Sequence, residues 1–247
     1  MSYFIIIPAR YSSTRLPGKP LLDIAGKPMI QYVYERAKSS SAEQVIVATD
    51  DQRILDAVEA FGGRAIMTNK DHPSGTDRLE EVVRKLKLDD EKIVVNLQGD
   101  EPLLSVNAIE QVATNLAVNS DCGMATLCER INDNNELVNT NVVKVVRDLA
   151  NHALYFSRST IPYPRDGEFE AKKGGWYRHM GIYAYRVNVL KQYVQWPPAP
   201  LERSEMLEQL RALYNNIRIH CDEGCESIPA GVDTQADLDR VRKILTQ

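Results

Sequence analysis

Residues 4–21 read FIIIPARYSSTRLPGKPL, and this stretch decides the fold. Phe4–Ile7 is an unbroken apolar run, the pattern of a strand buried on both faces within a parallel sheet. Pro8 stops it, and the following loop carries Arg10, Arg15 and Lys19 with no acid among them. In open parallel sheets, ligands settle beyond the carboxyl ends of the strands, which is where this loop falls. Three cations beside Ser12, Ser13 and Thr14 suit a polyphosphate, because charge-assisted hydrogen bonds are the strong ones. Pro17 and Pro20 stiffen the loop and limit the entropy lost when it closes on a ligand. Neither common phosphate motif is present. A Walker A loop needs glycine where this chain has Ser13, and Ser or Thr where it has Pro20. A dinucleotide fingerprint needs three glycines, and Gly18 stands alone.

Downstream, short β-branched runs alternate with amphipathic ones. Met29, Ile30, Val33, Tyr34 and Ala37 recur at helical spacing and predict a helix over Pro28–Lys38. Val45–Thr49 predicts a strand, and Ile54, Leu55, Val58 and Phe61 stripe a helix closed by Gly62-Gly63. Arg64–Met67 and Ile93–Leu97 read as strands and Thr76–Leu86 as a helix. To about residue 120 the order is βαβαβαβα, so the expected fold is α/β, a mostly parallel sheet with helices on both faces. The second half differs, with strands at Val142–Val146, Ala153–Phe156 and Met180–Tyr185 and no helix between them. Helices follow near Val187–Val194 and Arg203–Tyr214, then a strand at Ile217–Ile219 and a helix at Thr234–Leu245. The polar run Pro164–Gly175 reads as a mobile loop. A single domain with a β-containing insertion is the simplest architecture.

Composition removes several classes. A chain of 247 residues can bury one large core. Its net charge of −4 speaks against a nucleic-acid binder, which carries a basic stripe, but not against a local basic pocket. Four cysteines are too few for a disulfide scaffold. No apolar run approaches the ~18 residues of a transmembrane helix, and the start of the chain reads as a strand rather than a signal peptide. The expectation is a cytoplasmic protein without membrane or nucleic-acid partners.

Further motifs carry chemistry. Gln98-Gly99-Asp100-Glu101-Pro102 ends a strand at the edge that holds the phosphate loop. A carboxylate there, beside a triphosphate, is a natural Mg²⁺ ligand, since Mg²⁺ favours one or two carboxylates plus phosphate oxygens. Asp233 is a candidate for the distant partner, although the residues alone favour reading it as the N-cap of the last helix. Ser74-Gly75-Thr76-Asp77-Arg78 opens a helix whose first N–H groups can face a base or ribose, and it also reads as a plain helix cap. His179 and Tyr183 share one face of a strand, while Glu208 and Gln209 diverge on a helix. Cys221 and Cys225 beside His220 read as reduced thiols rather than a zinc site.

Ile7–Leu21 is similar to the signature of sugar nucleotidyltransferases that make CMP-activated acid sugars, most of all those acting on 3-deoxy-manno-octulosonate (Kdo). The resemblance spans the chain and recurs at Ala48–Asp50, Ser74–Arg78, Asn96–Pro102, Ala153–Pro162, Arg178–Tyr185, Leu207–Leu213 and Gly231–Thr234. It implies transfer of CMP from CTP to the anomeric hydroxyl of Kdo, giving CMP-Kdo and pyrophosphate for lipopolysaccharide biosynthesis. It makes Arg10, Lys19 and Asp100 catalytic, gives Arg15 to the phosphates, and assigns Mg²⁺ to Asp100 and Asp233. Pro8, Ala9, Ser74 and Gly75 would read cytosine, and Arg78 would face the sugar. Gln98, Arg165, His179, Tyr183, Glu208 and Gln209 would contact Kdo, with the Arg165 fork on its carboxylate. Residues 1–125 would then be the CTP half, 126–220 the sugar-binding and dimerisation portion of a homodimer, and 221–247 a return carrying Asp233. Asp166–Trp176 is shorter than in many relatives, which leaves sialic acid or 8-amino-Kdo open as acceptors. A non-catalytic nucleotide or sugar-acid sensor on the same fold is the reading from another class.

Overall fold

The N-terminal apolar run lies in the interior of the sheet, with parallel neighbours on both sides. The structure is a computed structural model that describes residues 2–12, 16–166, 170–227 and 229–246. In chain order its first strands are β1 (Tyr3–Ala9), β2 (Asp23–Ile24), β3 (Lys27–Pro28), β4 (Gln44–Thr49), β5 (Ala65–Met67) and β6 (Ile93–Asn96). The later ones are β7 (Met124–Arg130), β8 (Lys144–Arg147), β9 (Ala153–Ser157), β10 (Tyr177–Arg186) and β11 (Ile219–Glu223). Among the described residues, the main sheet runs β11-β7-β10-β6-β1-β4-β5, with β8 and β9 extending from β10. β1 pairs in parallel with β4 and β6, and Ile5 sits opposite both Val45 and Val95. β10 runs antiparallel to β6 and β7, so the parallel order holds in the first half and breaks in the second.

The helices explain why β1 has no polar face. Tyr3, Ile5 and Ile7 point to the side covered by α1 (Met29–Lys38), α2 (Gln52–Ala60) and α4 (Val106–Val118). Phe4 and Ile6 point to the other side, where α3 (Gly75–Lys85) and α6 (Val187–Tyr193) pack. Both sets are almost completely buried, as a strand covered on both faces requires. The short α5 (Asn134–Val138), α7 (Pro200–Glu205) and α8 (Gln209–Tyr214) belong to the second half. The last helix, α9 (Gln235–Leu245), lays Leu238 and Val241 on Leu16, Ile24 and Met29, against the base of the phosphate loop.

Three expectations change. β7 goes unread in the sequence because Gly123, Thr126 and Glu129 interrupt its apolar pattern, yet it is buried between β10 and β11. The helix expected over Arg203–Tyr214 is two helices, broken where Met206 adopts a left-handed backbone with φ of 53°. The strand expected at Ile217–Ile219 begins at Ile219 and runs on to Glu223, in parallel register with β7. Within the Pro164–Gly175 loop, Ala171–Lys173 form a single 3-10 turn, and residues 167–169 lie outside the described residues.

Candidate active site

A cleft of about 800 Å³ opens at the carboxyl ends of β1 and β6 and runs across the sheet face to β10. One wall comes from Pro8, Ala9, Arg10 and Lys19, the floor from Gln98, Gly99 and Asp100, and the mouth from Asp233. Gly75 and Thr76 at the start of α3 face Tyr183, Tyr185, Glu208 and Gln209 from the second half. Gly99 is required by a close approach: a Cβ there would stand 2.9 Å from the Pro8 carbonyl oxygen, so the ends of β1 and β6 could not meet.

Its charged centre joins three distant segments. Gly18, with φ of 67°, turns the loop into a short 3-10 helix and donates its N–H to the Tyr11 carbonyl at 3.0 Å. Lys19 is thereby aimed inward. Its ammonium donates to Asp100 Oδ2 at 2.7 Å, to Asp233 Oδ1 at 3.1 Å and to the Val232 carbonyl at 2.9 Å. Burial alone would pull its pKa down, but Asp100 and then Asp233 outweigh that and hold it above its ordinary value. The Val232 N–H bonds the Asp100 carbonyl at 2.9 Å, which holds the two aspartate segments side by side. Capping of α9 falls to Thr234 and Asp237, which form its capping box. Next to Asp100, the Glu101 carboxyl is buried, and burial with the Asp100 charge pushes its pKa up to about 8. Its Oε2 has no hydrogen-bond partner among the described residues.

Comparison with known proteins fits this arrangement. A family model described as "Cytidylyltransferase" matches residues 4–219. The chain belongs to the cytidylyltransferase family. It is 58% identical to a 3-deoxy-manno-octulosonate cytidylyltransferase of Hahella chejuensis, covering 100% of this chain and 98% of the relative. It is 56% identical to the enzyme of that name from Alcanivorax borkumensis, covering 98% of both. The solved structure of a CMP:2-keto-3-deoxy-manno-octonic acid synthetase complexed with CTP superposes with a TM-score of 0.92 at 49% identity, covering 100% of this chain and 98% of the other.

Within this cytidylyltransferase cleft, most of the residues singled out in the sequence meet. Pro8, Ala9, Arg10, Lys19, Gly75, Gln98, Asp100, Tyr183, Glu208, Gln209 and Asp233 all line it. Arg15 lies outside the described residues. Arg78 also touches the wall but offers no free fork to a sugar. It is fully buried, its guanidinium donating to Asp50 Oδ2 at 2.9 Å and to the Thr68 hydroxyl. Ser74 is spent as the N-cap of α3, accepting from the Asp77 N–H and donating to the Asp77 carboxylate. Arg165 is exposed and does not line the cleft.

His179 stands behind the cleft wall rather than in it. Its ring packs on Phe156 and Tyr183 at centroid distances of 5.0 and 5.2 Å. The Thr126 hydroxyl donates to backbone carbonyls of β10, so His179 Nε2–H donates to Thr126 Oγ1 at 3.0 Å. An edge of the ring stays accessible, but enclosing protein pushes its pKa down to about 3, so the imidazole is neutral. Its contact with the cleft wall runs through the Tyr183 ring.

Several cleft residues escaped the sequence reading. Tyr185 lies two residues from Tyr183 on β10, a period-two signal that could have found it. Thr76 donates its hydroxyl to Glu208 Oε2 at 3.2 Å, and the Tyr193 hydroxyl donates to the Glu208 carbonyl at 3.0 Å. Glu208 is solvent-accessible within the cleft yet ringed by protein, and burial raises its carboxyl pKa against the opposing pull of Thr76 and Arg211. The break at Met206 makes this possible, since it ends α7 and releases Leu207 and Glu208 onto the cleft wall.

Proposed function

We propose that the protein transfers CMP from CTP to the anomeric hydroxyl of Kdo, releasing pyrophosphate and forming CMP-Kdo, a precursor for lipopolysaccharide. The observation that carries this reading is one ammonium held between two carboxylates at the mouth of a cleft whose far wall is polar and hydroxyl-rich. Relatives at 58% and 56% identity bear the corresponding name, and the 49%-identical neighbour was solved with CTP.

The triphosphate lies along Arg10, Arg15 and Lys19, whose charges offset the negative charge that builds on the departing pyrophosphate. Backbone groups of Pro8 and Ala9 and the first N–H groups of α3 at Gly75 face the base. Gln98, Tyr183, Glu208 and Gln209 orient the sugar so that its anomeric oxygen approaches the α-phosphorus in line with the leaving group. The new bond joins that oxygen to the α-phosphorus, and the bond to the β-phosphate oxygen breaks. The nucleophile's proton passes to Asp100 or to solvent.

Asp100 and Asp233 fit Mg²⁺. Lys19 stands in for a cation between them, and the paired oxygen donors match a hard divalent ion that also takes phosphate oxygens. When bound, the ion supplies charge neutralisation and orientation of the phosphates. Once the aspartates are otherwise engaged, Lys19 Nζ is free to turn to a phosphate oxygen.

In this reading the enzyme works as a cytoplasmic homodimer. Leu149 and Leu154 at the β8–β9 hairpin are exposed apolar side chains suited to a subunit contact. Among the described residues, no helix is long and apolar enough to cross a membrane. The test is pyrophosphate release from CTP with Kdo, 8-amino-Kdo and sialic acid in parallel. Kdo is expected to give the highest kcat/KM. Faster turnover of another sugar overturns the acceptor, and CTP binding without turnover of any overturns the enzyme.

A further inference from the structure

We propose that Asp121, Cys122 and His152, with His220 beside them, form a binding site for a borderline-soft divalent cation of the Zn²⁺ or Co²⁺ type, the first three supplying the ligands. None of the four lines the nucleotide cleft. Asp121 and Cys122 lie in the turn from α4 into β7, His152 just before β9, and His220 on β11. An oxygen of Asp121, the Cys122 sulfur and a ring nitrogen of His152 all lie within 4.8 Å of one another.

His152 is arranged as a ligand is. His152 Nδ1 bonds Asp148 Oδ2 at 3.2 Å, and its Nε2 stands 3.6 Å from Asp121 Oδ2. A carboxylate on one ring nitrogen that fixes the other toward the ion is the usual outer shell of a metal-bound histidine. His152 and His220 face each other across an antiparallel bridge, which puts both side chains on the same side. His220 is only 5% exposed, and its Nδ1 has no hydrogen-bond partner among the described residues. A buried ring nitrogen without a partner is costly, and this one lies beside the three-ligand cluster.

The donor set selects the ion. One sulfur, one imidazole and one carboxylate favour Zn²⁺ or Co²⁺ over the hard Mg²⁺ suited to Asp100 and Asp233. The neighbouring cations are already engaged, Arg186 with the Cys122 and Leu116 carbonyls and Arg218 with Asp121 at 2.7 Å. The Arg218 pair is exposed, so its loss costs little. As the sulfur–metal bond forms, the Cys122 thiol proton leaves to solvent. The bound ion ties the turn preceding β7 to the turn preceding β9.

Co²⁺ titration of metal-free, full-length protein tests the site through its thiolate-to-cobalt charge-transfer band, which oxygen ligands at Asp100 and Asp233 do not produce. The expected result is a band saturating at one equivalent, abolished by Zn²⁺, retained in Cys225→Ser and lost in Cys122→Ser. His152→Gln, at a partly exposed position, is expected to weaken Co²⁺ binding by about 10-fold or more and keeps the test decisive if Cys122→Ser misfolds. Absence of the band, its survival in Cys122→Ser, or unchanged affinity in His152→Gln overturns the proposal.

Discussion

The buried Arg78–Asp50 pair predicts an asymmetry between its two partners. Arg78 is completely inaccessible, while the Asp50 side chain keeps 12% of its surface in solvent. Asp50→Ala strands a guanidinium in the interior with the Thr68 hydroxyl as its remaining side-chain acceptor, and its Nε is already unpaired. Burial already disfavours that charge, and the aspartate offsets it. Breaking a buried pair in this way costs about 3–5 kcal/mol. In a chain of this size each kcal/mol moves Tm by about 2–4 °C, so the melting point should fall by roughly 6–20 °C. Arg78→Met removes the stranded charge itself and leaves an aspartate that can reach water, which should cost less, below about 2 kcal/mol. Urea unfolding followed by far-UV ellipticity measures both. Equal losses, or an Asp50→Ala loss under about 1 kcal/mol, would show that the pair does not hold this wall of the cleft.

Other variants probe the charged centre and its surroundings. Asp100→Ala should abolish pyrophosphate release while leaving the unfolding curve cooperative, and near-wild-type turnover would remove Asp100 from the chemistry. Lys19→Met should also stop turnover, yet tighten Mn²⁺ binding at Asp100 and Asp233 by about 10-fold, because a resident ammonium no longer competes; this is read by electron paramagnetic resonance. His179 is held neutral in the folded state with a pKa near 3, so the unfolded chain takes up its proton first and stability falls as pH drops below about 6.5. Between pH 6.5 and 5 that contribution amounts to about 2 kcal/mol, so the wild-type unfolding free energy should drop by that much more than that of His179→Gln. Parallel curves for the two proteins would contradict a buried neutral imidazole.

The first half of the fold was legible because β1, β4 and β6 are covered on both faces and the helices around them are striped by apolar residues. Phe4–Ile7 is continuous for that reason, and its loop follows from the topology. The second half hides its pattern. β7 mixes Thr126 and Glu129 with apolar residues, and its partner β10 carries an irregular register between Met180 and Tyr183. The left-handed residue at Met206 left no mark, because methionine is an ordinary helix former and tertiary contacts impose the break. In the site, Asp100 and Asp233 were found through the motifs around them, and their meeting at Lys19 needed the structure. Arg78 and Ser74 were assigned to substrate, whereas burial in one case and capping in the other commit their side chains to the protein. A sequence reports which polar groups exist and not which are already occupied.

The joining of Asp233 to Lys19 and Asp100 also bears on how the protein is made. During vectorial synthesis the sheet up to β6, with its phosphate loop and Asp100, emerges long before residue 233. Until then Lys19 lacks its second carboxylate, and Leu16, Ile24 and Met29 lack the apolar cover of α9. A chain that ends before residue 233 therefore carries the residues of β1 to β6 but lacks the acid that completes the charged centre. Removing α9 uncovers Leu16, Ile24 and Met29, and should leave the chain prone to proteolysis around them.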